Sequence, residues 1–305
     1  MCNVSDPNPS YLNLKMQRKP VLALTASDGP RKEELTDLVA QHWGLITKLF
    51  CLIATAGTYD SLKEKLGDRS LEGKIERLDP GDRGGLIEIA YHVVMGSCRA
   101  LLFFPDPQDM KLLRPENRSL RRVCTYKGVA MFQRSGAFLD FIIRIRDLPG
   151  GERKKRYPGR VDAMAESLIK HPEWIQPHRN KTIALVAHDN KKVDMCAFAI
   201  KYKPQLERAG RILATGTTGG IIEKYAELPV IKYESGPHGG DVQIAHEILH
   251  KRCDALIFFI DPLYVHPHIE DIHMLVEACN LKKTKCQVST SYDEAKHLLA
   301  DLLPA

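Results

Sequence analysis

Short apolar runs and longer amphipathic stretches alternate along the whole chain. The runs, such as Leu22-Ala-Leu-Thr-Ala26 and Ile183-Ala-Leu-Val-Ala187, carry no regular polar alternation. Strands buried on both faces have that character, and a parallel sheet covered by helices is what buries them. Over residues 181–305 the pattern predicts strands near 182–187, 210–214, 229–234, 254–259 and 284–288. Helices are predicted near 190–202, 218–226, 242–251 and 270–280, with a last one near 292–302. The fold class is therefore α/β, and ligands of such sheets sit at the carboxyl ends of the strands.

The chain is also similar to itself. Leu22–Asp28 lies over Ile183–Asp189 at an offset of 161, and Ala54–Thr58 over Ala214–Thr218 at 160. Gly84-Gly85 lies over Gly239-Gly240, and Cys98–Pro107 over Cys253–Pro262, both at 155. Four blocks in one order at a slowly drifting offset predict a tandem duplication, with two doubly wound parallel sheets of Rossmann-type three-layer form. The divisions read as a polar extension over 1–18, a first domain over 19–146, a linker over 147–180 and a second domain over 181–305. A short helix is expected inside the linker, over Val161–Lys170.

Composition narrows the function classes. With 44% hydrophobic residues in 305, the chain can bury a real core and does not read as disordered. The formal charge of +6 is a mild excess whose densest run is Arg153-Lys-Lys-Arg156. No aromatic residues interleave with it, so it reads as a solvated linker and argues against a nucleic-acid partner. A modest basic bias suits an anionic small substrate. The eight cysteines form no Cys-x-x-Cys pair and read as buried thiols of a reducing cytoplasm. Residues 1–18 lack the apolar core of a signal peptide, and no apolar window is long enough to span a membrane.

The candidate chemistry falls at the predicted strand ends. Thr215-Gly-Thr-Thr-Gly219 joins a strand to a helix, where inward N–H groups and hydroxyls suit a phosphate, although a Thr N-cap explains the motif equally well. Lys192 could bring a cation to the same phosphate, or be an ordinary surface lysine. In Ser235-Gly-Pro-His-Gly-Gly-Asp241 the glycines allow close backbone approach, and Asp241 stands where a helix begins. That is a favoured N-cap position, yet the matching position in the first half is Leu86, so the turn itself does not demand a carboxylate. His188, His266 and His268 lie at or beyond strand ends, where packing is the commoner use of a histidine. Asp261 and Asp271 orient neighbouring groups, or end a strand and pair a helix. His246-Glu-Ile-Leu-His250 has the two-histidine spacing of a zinc helix, on a helix that already presents an apolar face.

Taken together, Val186-Ala-His-Asp-Asn-Lys-Lys192, Ala214–Gly219, Ser235–Asp241 and Phe259-Ile-Asp-Pro-Leu-Tyr-Val-His-Pro-His268 with Asp271 resemble methylglyoxal synthase over about residues 181–300. The resemblance implies a lyase that eliminates phosphate from dihydroxyacetone phosphate without metal or organic cofactor. It implies Asp241 as the base and His268 at the substrate oxygens, with Asp261 and Asp271 as accompanying acids. Lys192, Thr215, Gly216, Thr217, Thr218, Ser235 and Gly236 become phosphate ligands, and His188 with Asp189 further substrate contacts. It also implies a cytoplasmic homo-oligomer, with phosphate as a candidate effector. One departure is that no arginine follows Arg252, where the family has one near its C-terminus. In the first half Ser27, Leu86 and Leu113 replace His188, Asp241 and His268, while Asp28, Arg31 (opposite Lys192), Thr55, Gly57 and Thr58 persist. That half reads as catalytically silent but able to hold a small anion. A similar domain that only binds a phosphorylated effector is the rival reading.

Overall fold

The first apolar run forms β1 (Val21–Ala26), whose side chains are almost all buried. Around it a parallel sheet takes the order β3-β2-β1-β4-β5, with β2 (Cys51–Ala54), β3 (Ile75–Arg77), β4 (Cys98–Phe104) and β5 (Ala130–Phe132). The second run forms β6 (Thr182–Ala187), fully buried. Its sheet, read in the same sense, is β8-β7-β6-β9-β10, with β7 (Arg211–Ala214), β8 (Ile231–Lys232), β9 (Ala255–Phe259) and β10 (Gln287–Ser289). The computed structural model describes residues 19–157, 170–171, 180–261 and 269–304. Its architecture is the expected one: two parallel five-stranded sheets flanked by helices.

The helices in chain order are α1 (Pro30–Gln41), α2 (Trp43–Leu49), α3 (Ala56–Leu66), α4 (Asp68–Leu71), α5 (Gly85–Val94), α6 (Pro115–Lys127), α7 (Ser135–Asp147) and α8 (Gly150–Arg156). The second series is α9 (Lys192–Lys201), α10 (Lys203–Leu206), α11 (Gly216–Ala226), α12 (Gly240–Leu249), α13 (Ile269–Asn280) and α14 (Tyr292–Leu302). One compact unit holds residues 19–79, 95–109 and 129–157, and with them the first sheet. Its core interleaves Leu22, Leu24, Leu52 and Leu102 of the strands with Leu35, Val39 and Ile142 of the helices. The other unit holds the second sheet together with residues 80–94 and 110–128, so α5 and α6 belong to it. There α5 packs on α12, and α6 on α13.

The two glycine pairs found in the repeat do the same local work. Gly84 and Gly239 each close a 3-10 turn (Gly81–Arg83 and Gly236–His238) with φ near 111° and 112°, before α5 and α12 respectively. Only glycine takes that left-handed conformation without steric cost. At the far end of the second sheet, Ser291 and Glu294 form a reciprocal capping box that starts α14. The basic run of the expected linker lies in α8, where Lys and Arg are good helix formers and Pro149 stands at the N-cap position. The expected helix at Val161–Lys170 falls almost wholly outside the described residues.

Candidate active site

β7 runs into Thr215, which occupies the N-cap position of α11 with extended backbone but makes no side-chain cap bond. Its hydroxyl instead donates to Thr218 Oγ1 at 3.4 Å, and both threonines are buried while Thr217 is exposed. The simple cap reading of this motif is thereby set aside. Gly216 donates its N–H to the Glu234 carbonyl at 3.1 Å. A Cβ there would lie 3.1 Å from the Tyr233 carbonyl oxygen, so this glycine lets the Thr loop press against the segment leaving β8. Beyond β8, Ser235 and Gly236 are half-buried and build the next turn. The Ser235 carbonyl accepts from His238 at 2.9 Å and Gly240 at 3.1 Å, and Gln243 Oε1 accepts from the Glu234 N–H at 2.9 Å.

Asp241 is the second residue of α12, whose N-cap is Gly239 with no side-chain bond. It therefore does not occupy the N-cap position that its place in the sequence had allowed. The residue is 2% exposed. Burial, and then the negative charge of Asp271, push its carboxyl up to about 7, against the opposing field of Arg122. Asp271 is fully buried in the first turn of α13. Burial raises it too, although Arg122 and Ser119 pull the other way. Arg122 comes from α6: it ion-pairs with Asp271, and its Nη1 donates to the Pro237 carbonyl at 2.8 Å. Sequence reasoning missed this arginine.

His188 follows β6 and Asp261 follows β9, the strand pair at which the sheet order reverses. The backbone N–H of Asp261 donates to His188 Nδ1 at 2.8 Å. A neutral ring held this way carries its proton on Nε2 and is a donor there. Asn190 donates to the Asp261 carboxylate at 3.0 Å, and Lys192 pairs with the exposed Asp189. His268 and His266 lie outside the described residues.

In the first half it is Lys32, next to Arg31, that pairs with Asp28 as Lys192 pairs with Asp189, and it reaches the start of α3 at Gly57. Arg31 instead binds Glu34 and the carbonyls of Pro105 and Gln133. In the zinc-like motif, Glu247 turns to Arg211 at 3.0 Å and Arg252 at 2.6 Å. Glu88 of α5 joins the two histidines in its place, with donor atoms within 4.8 Å. Arg252 contacts His246 Nδ1 at 3.1 Å, and a guanidinium can only donate. His246 Nδ1 must then accept, whereas a metal on Nε2 requires a proton at Nδ1. Burial also keeps His246 below its ordinary value. Tyr91 stacks on His246 at 3.5 Å between ring centroids, and His250 meets Glu88 at 2.7 Å. The cluster thus reads as a hydrogen-bonded tie between α5 and α12.

Fold and site define a doubly wound α/β protein whose candidate groups gather at the carboxyl ends of one parallel sheet. No family model matches the chain. In sequence it is 44% identical over 111 residues to methylglyoxal synthase of Pseudoalteromonas atlantica, covering 36% of this chain and 82% of that one. It is 46% identical over 108 residues to methylglyoxal synthase of Ralstonia nicotianae, covering 35% and 79%. A solved methylglyoxal synthase from Elizabethkingia anophelis aligns at 36% identity over 40% of this chain and 78% of that one, with a TM-score of 0.37. The chain belongs to the methylglyoxal synthase family. Among the described residues no helix is long and apolar enough to cross a membrane.

Proposed function

We propose that the chain is a lyase that eliminates phosphate from dihydroxyacetone phosphate to give methylglyoxal, with residues 181–305 as the catalytic domain. The family membership supports an enzyme of this kind. The observation that carries the assignment is Asp241, a buried carboxyl in the first turn of α12 directly after a glycine turn, pushed up to about 7. As base, its carboxylate takes a proton from the hydroxymethyl carbon, and the electron pair moves onto the ketone oxygen as an enediolate. His268 and the Nε2–H of His188 are the donors assigned to that charge. The hydroxyl on the deprotonated carbon then gives its proton to the departing phosphate, and its electrons form the aldehyde carbonyl. The double bond shifts to the phosphate-bearing carbon, and the carbon–oxygen bond to phosphate breaks. The enolate left behind takes a proton at its terminal carbon to give methylglyoxal. Lys192, Thr215, Gly216, Thr217, Thr218, Ser235 and Gly236 hold the phosphoryl group so that this bond stands across the enediolate plane. Asp189, Asp261 and Asp271 orient the groups they contact.

Residues 19–146 are proposed as a degenerate copy, joined through the linker 147–180 and preceded by the polar extension 1–18. Equal strand order, the matched left-handed glycines and the paired buried threonines support the duplication. A homo-oligomer is proposed with it, and light scattering on the full chain is expected to give a mass above 34.4 kDa.

The pH profile tests the base. Only the ionised carboxylate takes a proton, so kcat is expected to rise with pH to a plateau with a midpoint near 7, falling about tenfold per pH unit below it. A profile flat from pH 5 to 8 would remove Asp241 from the role.

A further inference from the structure

We infer that Arg122 is a positioning residue for the base of this site, so that a helix from the catalytically silent half completes the site of the other. The inference rests on the lyase reading above and goes beyond it.

α6 lies in the first half of the sequence, yet it belongs to the same compact unit as the candidate site and packs along α13. Arg122 is half-buried, with a side chain 23% exposed against 0% for Asp271. It makes two contacts in different directions. One is the ion pair with Asp271 at the start of α13; the other is the 2.8 Å bond to the Pro237 carbonyl, inside the turn that carries Asp241. A planar fork with several fixed donors can hold two elements in register, which a point charge cannot do equally well. Among the described residues, Asp271 from α13 and Arg122 from α6 act on Asp241. Asp271 in turn feels Arg122, Ser119 and Glu270. Without the guanidinium, the two buried carboxyls would lose the cation that acts on both, and their titrations would be more strongly coupled. Both would hold protons to higher pH. Nearby, Arg118 and Glu270 make the same kind of tie between α6 and α13 at a more exposed level. That pair is a natural control for a merely structural link.

The test compares full-chain wild type with Arg122→Gln, Arg122→Lys and Arg118→Gln. For Arg122→Gln, kcat is expected to fall about tenfold or more, as for a misplaced catalytic group. KM should stay within about threefold, and the acid limb of the kcat profile should move to higher pH. Arg122→Lys keeps the charge but not the fork, so its limb stays at the wild-type position while kcat recovers only in part. Arg118→Gln should leave both unchanged. Carbon-13 titration of the Asp241 carboxyl, identified by its loss in Asp241→Asn, follows the same shift without substrate. An unmoved limb or an unchanged kcat in Arg122→Gln overturns the inference. Should that variant fail to fold, wild-type kcat in Arg122→Lys overturns it. A wild type with no turnover, but with the carboxyl titration shifted in Arg122→Gln, sinks the lyase reading and leaves Arg122 in place.

Discussion

Replacing Asp241 by Asn is expected to abolish turnover, lowering kcat by about a hundredfold or more, as for loss of a general base. The amide has nearly the same shape, so the turn from Ser235 to Gly240 has no steric reason to change, and KM should move little. Stability supplies a second readout of opposite sign. A carboxyl raised in the fold contributes stability that is present below its unfolded value near 3.9 and lost as pH rises through about 7. At pH 8 the wild type therefore buries a charge that Asn does not, and Asp241→Asn should melt no lower than wild type. An inactive variant that is equally or more stable marks a site residue. One that is inactive and unstable would mark a structural one.

Gly240→Ala is the second large effect, and it acts through the backbone. A Cβ at this position would lie 1.9 Å from the Glu234 carbonyl oxygen and 2.8 Å from its carbon. No rotamer change relieves a clash with main chain, so β8 and the start of α12 must separate. The cost is expected to be at least about 3 kcal/mol, within the range of severe overpacking. That corresponds to a fall in melting temperature of roughly 6 to 12 °C for a unit of this size. Turnover should fall with it even where the variant folds, because the base rides on the displaced turn. Gly220, whose Cβ would meet nothing within 4 Å, is the matched control and should accept Ala with little change.

The sheets were legible because their strands are continuous apolar runs. Residues 182–187 were predicted and Thr182–Ala187 is what forms. β10 begins later than expected, at Gln287, because Thr284 first bonds the carbonyls of Ala278 and Leu281 and closes the end of α13. The glycines at 84 and 239 were visible as a repeat, and their left-handed backbone explains why they recur. Asp241 was ambiguous between cap and base for a local reason, since sequence gives the helix start only to within a residue or two. Arg122 had no such signal. It sits in Arg118-Ser-Leu-Arg-Arg122, which reads as a basic surface stripe, and only the packing of α6 on α13 turns it toward Asp271. Glu88 was hidden in the same way, because its partners His246 and His250 lie on a helix far along the chain.

The central claim is that a buried carboxylate removes a carbon-bound proton while neighbouring donors hold a phosphoryl group. Incubating the full chain with dihydroxyacetone phosphate in the presence of a metal chelator tests it most directly. The account predicts methylglyoxal and inorganic phosphate appearing one for one, well above the uncatalysed rate, in wild type and not in Asp241→Asn. Binding of the phosphorylated ketone with no methylglyoxal above background would contradict it and leave a domain that holds its ligand without chemistry.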